Sequence, residues 1–450
     1  MSQQKTVLIV SPNFPPSSLP PAQRTRQFAR WLPKFGWTPI VLTVAPEFYQ
    51  EKLDLELLNL VPPDLEVIRT RAFRPKRPGG WGIGDLGLRS MVQHGRALRR
   101  LCRERKIDLI YLPCPPNFQL LLGRLIHAEF GIPYVVDYID PWVSDWLREN
   151  ARPFTKLWLA HLSSLLLEPL VIHRASHVTS VSEGTNTGIL RRYRMDAAQF
   201  SALPYGGEPE VFEYLHGNSE GGYFGPPTGK YRLVYLGAMW EAAYATMDAF
   251  FDALQLLKQR RADLYGKLEV HFLGTTYRPD AAGFNQALPR AQAKAVADVV
   301  RESPERLPFL DAMRTLLQAD GLLMLGSIEP HYTASRLLPY LHAKRPILAI
   351  FHEASDGTRL LQQANAGKIV TYNSVAPANT RIEDVYTALV DFLSDYRYIE
   401  SSVDWQEINR FSAQKMTETL AGVFDQIISQ RSRGRAYLAD QSIARAENRG

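Results

Sequence analysis

The stretch Ala319-Asp-Gly-Leu-Leu-Met-Leu-Gly-Ser-Ile-Glu-Pro-His-Tyr-Thr-Ala-Ser-Arg336 joins an apolar run to a polar loop. A short helical pattern and a second apolar run, Pro346-Ile-Leu-Ala-Ile-Phe351, follow it. This order predicts a strand, a loop, a helix and another strand. Parallel α/β sheets bind ligands outside the carboxyl ends of strands, and helix N-termini bind anions. Glu329, Ser335 and Arg336 therefore stand where a phosphorylated ligand would be held. The alternative is an ordinary solvent-facing loop.

Composition narrows the class of protein. The chain has 450 residues, 45% hydrophobic and 22% charged, which indicates two or three globular domains and excludes disordered and fibrous classes. The longest candidate for a membrane span, Leu157–Ile172, is interrupted by His161, Glu168 and Pro169. The apolar stretch Val7–Val10 is too short for the core of a signal peptide. With two cysteines and no disulfide framework, we expect a cytoplasmic protein.

Positive charge is concentrated in one part of the chain. Residues 69–106 contain twelve Arg or Lys and two acids, a net charge of +10, so the remaining chain carries +6 − 10 = −4. Arg96, Arg99 and Arg103 fit one face of a basic amphipathic helix. This stretch predicts contact with a phosphorylated partner or an anionic membrane surface. The second would place the protein at the inner face of the membrane. A solvated helix face is the alternative, and no nucleic-acid partner is expected.

Strand-like runs alternate with helical patterns along the chain, which is typical of parallel βαβ units. A Gly- and Pro-rich loop over residues 216–229 interrupts this alternation, and it restarts at Arg232. We therefore predict an α/β protein with two doubly wound parallel-sheet domains that face each other across a cleft. The expected domains are residues 1–205 and 206–400.

Metal and cofactor chemistry has little support in the sequence. His173 and His177 are four residues apart, as zinc ligands can be, but no third ligand is evident. No Gly-Lys pair is followed by Ser or Thr, so a P-loop is excluded. We expect neither a metal nor a cofactor.

Two groups in the first half are candidates for a site at the carboxyl edge of the first sheet. Asn13 lies in a Pro-rich loop after the first strand, and Arg24 follows it on a helix. Asp140 and Trp142 follow a buried strand. A carboxylate at a strand end can act as an acid, a base or a sugar-hydroxyl acceptor, and a Trp ring can stack on a sugar. The alternatives are a rigid connection at Asn13, an Asp that caps a turn, and Trp142 in the core.

The order of several short motifs resembles that of the retaining glycosyltransferases of the GT-B fold, family four. The motifs are Val7-Leu-Ile-Val-Ser-Pro-Asn-Phe-Pro-Pro16, Phe35-Gly-Trp37, Asp137 to Trp142, Val181-Ser-Glu183, Leu203-Pro-Tyr-Gly-Gly207, Leu236-Gly237 and Leu341 to Pro346. The resemblance implies two Rossmann-like domains, the first for the acceptor and the second for a nucleotide-activated sugar, with no metal. It also implies a C-terminal helix, Trp405–Arg431 within segment 401–431, that crosses back to the first domain before a basic tail at 432–450.

The resemblance also assigns roles to individual residues. Gly237, Ser335, Arg336 and the backbone at Leu337 would bind the donor. Glu329 lies two residues from a family glutamate position at His331 and would contact the transferred sugar. Asp140 would face the acceptor, with Asn13, Arg24 and Trp142 on the same side. Asp140 and Glu329 are the expected catalytic pair.

The sequence departs from this family in the residues expected around the donor. The family places two glutamates eight residues apart, at the positions of His331 and Pro339 here. The family's Arg and Lys after the first strand of the second domain are also absent from residues 237–244, so Arg336 is the one strong candidate for a cation that binds the diphosphate. Pro339 has no N–H and fits only the first turn of a helix, which places the free backbone donors near Arg336–Leu338.

The resulting hypothesis is a glycosyltransferase that moves a sugar from a nucleotide-diphosphate sugar to a glycan or lipid-linked acceptor. Because the paired glutamates are missing, a non-catalytic GT-B protein that binds a sugar nucleotide or glycan is one alternative. A sugar-nucleotide epimerase of the same fold is the other.

Overall fold

The computed structural model describes residues 4–74, 84–276, 283–327 and 336–447, with the side chains of 145, 146 and 434–447 left aside. The chain divides into two compact units. Unit 1 consists of Met1–Gly206 together with Ala413–Gly450, and unit 2 is Gly207–Ser412.

Unit 1 contains a seven-stranded sheet in which all neighbouring strands run parallel. Its strands are β1 Lys5–Val10, β2 Trp37–Val44, β3 Glu66–Thr70, β4 Leu109–Cys114, β5 Tyr134–Tyr138, β6 His177–Ser180 and β7 Phe200–Ala202, in the order β3-β2-β1-β4-β5-β6-β7. Its helices are α1 Pro20–Trp31, α2 Leu86–Glu104, α3 Leu120–Phe130, α4 Asp145–Asn150, α5 Lys156–Ile172 and α6 Glu183–Tyr193. Short 3-10 helices lie at Leu32–Phe35, Pro46–Phe48, Leu55–Leu60 and Ala197–Gln199.

Unit 2 contains a six-stranded parallel sheet. Its strands are β8 Tyr231–Leu236, β9 Leu268–Leu273, β10 Val300–Ser303, β11 Gly321–Leu325, β12 Ile347–His352 and β13 Lys368–Tyr372, in the order β10-β9-β8-β11-β12-β13. Its helices are α7 Pro209–His216, α8 Tyr244–Arg260, α9 Ala262–Tyr265, α10 Ala287–Ala293, α11 Phe309–Gln318, α12 Leu337–His342, α13 Asp356–Gln363, α14 Ile382–Ser394 and α15 Trp405–Asn409, with 3-10 helices at Glu241–Ala243, Ala378–Thr380 and Glu400–Ser402. The prediction of two doubly wound parallel-sheet domains is confirmed.

The burial of the inner strands explains why the alternation of strand-like runs with helical patterns predicted parallel sheets. The last four residues of β1, Val7–Val10, are completely buried, as expected for a strand covered by helices on both faces. Helix α1 ends at Trp31. A 3-10 turn follows it at Leu32–Phe35, where Pro33 lacks the N–H that an α-helix would use.

The last helix, α16 Ala413–Glu447, belongs to unit 1. Leu420 and Phe424 are fully buried in the unit 1 core, and the Phe424 ring packs edge-on against Trp37 at 5.2 Å and Tyr111 at 5.7 Å. Residues 1–206 therefore form only part of the core of their unit.

The expected single helix Trp405–Arg431 is two helices, α15 and α16. Between them the chain is held in unit 2, where the Gly207 N–H donates to the Phe411 carbonyl at 2.8 Å. The expected tail at 432–450 is also not separate, because α16 continues to Glu447 through a segment rich in Ala, Arg and other good helix formers.

Within the described parts of the chain, no helix combines the length and the apolar character needed to cross a membrane.

Candidate functional site

The strand order of unit 2 reverses at one point. Strands β8 and β11 are neighbours, and the chain continues from β8 toward β9 and from β11 toward β12, on opposite sides. Ligands of doubly wound sheets bind outside the carboxyl ends of strands at such a reversal. Gly237 follows β8 there, and Gly326 follows β11.

Arg336 lies across the end of β8. Its Nη1 donates to the Leu236 carbonyl at 3.2 Å and its Nη2 to the Ala238 carbonyl at 3.4 Å. The guanidinium carbon also lies 4.7 Å from the centre of the Tyr235 ring. The side chain is half-buried and not fully enclosed, so it holds a fixed positive charge near solvent at the carboxyl edge of the sheet.

Gly237 allows this close approach. Its φ of +127° disfavours any side chain, and a Cβ built there would lie 2.8 Å from Arg336 Nη1. The structure thus brings together two of the residues predicted to bind the donor.

Hydrogen bonds fix the elements around this point. The Leu236 N–H donates to Tyr340 Oη at 2.7 Å, which ties α12 to the end of β8. Thr246 Oγ1 donates to the Gly326 carbonyl at 2.8 Å, and Tyr372 Oη donates to the Ser327 carbonyl at 2.6 Å. The loop after β11 is therefore anchored at its first two residues. Sequence reasoning did not identify these supporting groups, because they come from other elements.

Helix α12 begins at Leu337, so Pro339 stands third in the helix and in its first turn, as expected. Leu337 is 4% exposed, and its side chain packs in the interior. Only its backbone is thus available for the predicted donor contact.

Several predicted positions lie outside the described residues. They are Glu329, His331 and Ser335, in the loop after β11, and residues 75–83 of the basic stretch. Their assigned roles stay predictions.

Asp140 lies just beyond β5 in unit 1 and is exposed. The surrounding protein still removes enough solvation from its carboxyl to raise its pKa. A carboxylate with a raised pKa and access to solvent is suited to accept a hydrogen bond or a proton from a hydroxyl.

Trp142 does not offer a flat face to a sugar. It is 5% exposed, and its ring packs edge-on against Phe118 at 5.6 Å. The chain after Asp140 turns back into the core, where Val143 is also buried. The structure supports the alternative of Trp142 as a core residue.

Arg24 is likewise held inside unit 1, with only 1% of its side chain exposed. Its Nε and Nη2 donate to the two carboxylate oxygens of Asp137 at 2.6 and 2.8 Å, and Thr179 Oγ1 donates to the same carboxylate at 2.7 Å. Burial alone would lower the pKa of Arg24, but Asp137 outweighs it and the net pKa is raised. Arg24 is therefore not open to an acceptor. Asp137, a carboxylate within a buried strand, was the signal that a buried cation had to be nearby.

Asn13 is 4% exposed, and its Nδ2 donates to Glu51 Oε1 at 3.0 Å. Ser17 Oγ donates to the same oxygen, and Ser11 Oγ donates to the Asn13 carbonyl at 2.7 Å. These bonds support a rigid loop more than a ligand contact at Asn13.

The basic face of α2 is largely engaged with acids. Arg99 Nε and Arg103 Nη2 donate to the Glu129 carboxylate at 2.6 and 3.1 Å, and the Arg99 bond chiefly lowers the pKa of Glu129. Arg105 forms two hydrogen bonds with Glu66. These pairs favour the solvated-face alternative for the helix.

In sequence, residues 21–206 match the family model described as a glycosyl transferase 4-like domain. A comparison with curated protein sequences found none that matches this chain.

Solved structures of other proteins resemble the whole chain. The glycosyltransferase of Rickettsia africae ESF-5 has a TM-score of 0.58 and 14% identity, over 94% of this chain and 99% of that one. Anabaena Alr3699/HepE in complex with UDP has a TM-score of 0.57 and 12% identity, over 94% of this chain and 100% of that one. The chain has the GT-B fold. A putative UDP-N-acetylglucosamine 2-epimerase of Listeria monocytogenes is also similar, with a TM-score of 0.52 and 12% identity over 95% of this chain and 98% of that one.

Proposed function

We propose that this GT-B protein is a glycosyltransferase that moves a sugar from a nucleotide-diphosphate sugar to a glycan or lipid-linked acceptor. The observation that carries the proposal is the Arg336 guanidinium, held beside Gly237 at the point where the strand order of unit 2 reverses. The match of residues 21–206 to a glycosyl transferase 4-like domain supports the same class of reaction.

Arg336 would bind the diphosphate of the donor. A planar guanidinium matches two phosphate oxygens at once, and a fixed cation stabilises the negative charge that develops on the departing diphosphate. Gly237, Ser335 and the Leu337 backbone would complete the donor site, and Glu329 would contact the transferred sugar. No step of this proposal needs a metal or cofactor.

Asp140 would face the acceptor hydroxyl from unit 1, and its raised pKa suits that role. We further propose front-face attack with retention, as in the family that the sequence resembles. Contact of the basic stretch at residues 69–106 with an anionic membrane surface stays part of the proposal for the acceptor side.

The donor site is tested by titration calorimetry of the full chain with UDP, the ligand of Anabaena HepE, and with other nucleoside diphosphates. Arg336→Ala should weaken binding by about 1.5–3 kcal/mol, the value of a charge-assisted hydrogen bond, and Arg336→Lys by less. Arg359→Ala is the matched control, because Arg359 is an exposed arginine of unit 2 paired with Asp356. Equal affinity in the folded Arg336→Ala variant would remove Arg336 from the site.

Turnover of a labelled sugar nucleotide then separates the candidate functions. Transfer to an added acceptor supports the proposal, conversion without acceptor indicates the epimerase, and binding without turnover indicates the non-catalytic protein. The non-catalytic alternative is favoured by His331 and Pro339 at the positions of the paired glutamates.

Asp140→Asn should reduce transfer at least tenfold, about 1.4 kcal/mol in the barrier, and leave nucleotide affinity unchanged. Full transfer activity in this variant would exclude the role given to Asp140.

A further inference from the structure

Helix α5 of unit 1 presents an apolar surface to solvent. Leu159, Leu166 and Leu170 are 59%, 71% and 57% exposed. Their spacing of seven and four residues places them on one face of the helix. Further exposed leucines on α5 are Leu157 and Leu165. Exposed apolar surface of this extent usually marks a contact site.

The opposite face of α5 is firmly attached to unit 1. Val171 and Ile172 are completely buried in its core. Glu168 is also fully buried, and its carboxylate accepts hydrogen bonds from Tyr193 Oη at 2.5 Å and Arg192 Nη1 at 3.3 Å. The helix therefore cannot rotate to hide its leucines without breaking these contacts.

The turn before α5 adds an exposed aromatic side chain. Phe154 is 91% exposed, and its ring lies 5.5 Å from the ring of Trp158 on the first turn of α5. Its φ of +62° is rare for a bulky residue, and such strained positions concentrate where a protein makes functional contacts.

The exposed charges of residues 151–174 have one sign. Arg152 and Lys156 are exposed at the start of α5, and Arg174 is exposed just after its end. The one acid between Ala151 and Arg174 is Glu168, which is buried. The exposed ionisable side chains of this segment are therefore basic or histidine.

We propose that α5 and the turn at Phe154 lie on the surface of an anionic phospholipid bilayer. The helix would rest in the plane of the interface, with its leucines and Phe154 at the boundary of headgroups and acyl chains. Arg152, Lys156 and Arg174 would contact lipid phosphates. Packing of α5 on α5 of a second copy is disfavoured, because both ends are basic and like charges meet in either orientation.

Flotation of the full chain with vesicles tests this surface. Vesicles of phosphatidylcholine and phosphatidylglycerol in equal parts should bind the protein at low salt, and vesicles of phosphatidylcholine alone should bind it less. Leu166→Gln/Leu170→Gln should weaken binding by at least about tenfold, since each leucine loses its transfer into lipid. Val375→Gln/Ile399→Gln is the matched control, because these side chains are 92% and 57% exposed in unit 2. The control should bind as the wild type does.

The inference adds a second surface, α5 and Phe154, to the membrane contact proposed for residues 69–106. It does not depend on the donor site, because vesicle binding is measured without nucleotide. Circular dichroism and urea unfolding of both double variants show that each is folded, so the vesicle result does not depend on nucleotide binding. Wild-type protein that does not float would overturn the inference. It would also be overturned if Arg96→Glu/Arg99→Glu/Arg103→Glu abolished binding while the α5 variant kept it. A wild-type dimer in solution that the α5 variant dissociates would assign the surface to a second copy instead.

Discussion

Gly237 illustrates how one residue controls the candidate donor site. A Cβ at this position would meet Arg336 Nη1 at 2.8 Å, so Gly237→Ala should displace the guanidinium. Since the displaced cation loses a charge-assisted bond to the ligand, we expect nucleotide affinity to fall about tenfold, or about 1.4 kcal/mol. Titration calorimetry measures the change.

Gly229→Ala is the control for this prediction. Gly229 also has a positive φ, +80°, so an alanine there also carries a backbone penalty, but its Cβ would meet nothing within 4 Å. If both variants bind nucleotide equally well, Gly237 does not act through Arg336.

His94 should make the stability of unit 1 depend on pH. It is fully buried on α2, and burial lowers its pKa to about 4. In the unfolded chain it takes up a proton near pH 6.5, while the folded state stays neutral. The free energy of unfolding should therefore fall as the pH drops from about 6.5 toward 4, by about 2 kcal/mol at pH 5 from this group.

Urea unfolding at neutral pH and at about pH 5 measures this loss. His94→Phe should reduce the difference between the two conditions, whatever its effect on absolute stability. Replacement of the exposed His173 by Phe is the comparison, and an equal reduction in that variant would contradict the assignment to His94.

At the scale of elements, α16 shows how a distant segment completes a core. Phe424 is fully buried between Trp37 and Tyr111, so Phe424→Ala should lower the free energy of unfolding by about 3–5 kcal/mol. Gly422 is exposed on the same helix, and a Cβ there would meet nothing within 4 Å, so Gly422→Ala should stabilise α16 by up to about 1 kcal/mol. Urea unfolding compares the two. Similar stability in both variants would show that α16 contributes little to the core.

Elements differed in how well the sequence predicted them. Buried strands such as β1 and β11 were clear, because their apolar runs are short and continuous. Helix α5 was noticed only as an interrupted apolar run, yet Pro169 is accommodated inside it. Helix α5 does not have one apolar and one polar face, because its solvent-facing side is apolar as well. The apolar outer face is identified only from the exposed fraction of each leucine in the folded structure.

At the scale of the whole molecule, the two units differ in how many segments of the chain form them. Unit 2 is one continuous segment, 207–412, with its own core. Unit 1 needs residues 413–450 in addition to 1–206. We therefore predict that the fragment 207–412 folds alone and unfolds cooperatively.

The fragment 1–206, in contrast, should fail to form a stable fold, because it lacks Leu420 and Phe424 of its core. Circular dichroism and urea unfolding of both fragments check this difference. Addition of a peptide covering residues 413–450 should restore structure to the fragment 1–206. A stable, cooperative 1–206 fragment would contradict the role of α16.

The sequence by itself determined the fold class and the presence of two doubly wound parallel sheets. These follow from local information: apolar runs of strand length and helical spacing. It also determined that Pro339 stands in the first turn of its helix, because the missing N–H allows no other place without distortion.

Only the tertiary structure decided which candidate side chains face solvent. Asp140 and Trp142 are two residues apart, yet one is exposed and the other packs on Phe118. Arg24 and Asn13 had the right residue types for an acceptor site, but Asp137 and Glu51 hold them inside. The partners are 113 and 38 residues away in sequence, so local patterns carry no record of them. Burial and pairing arise only when the chain packs. They distinguish a residue in a buried ion pair from one that is open to a ligand.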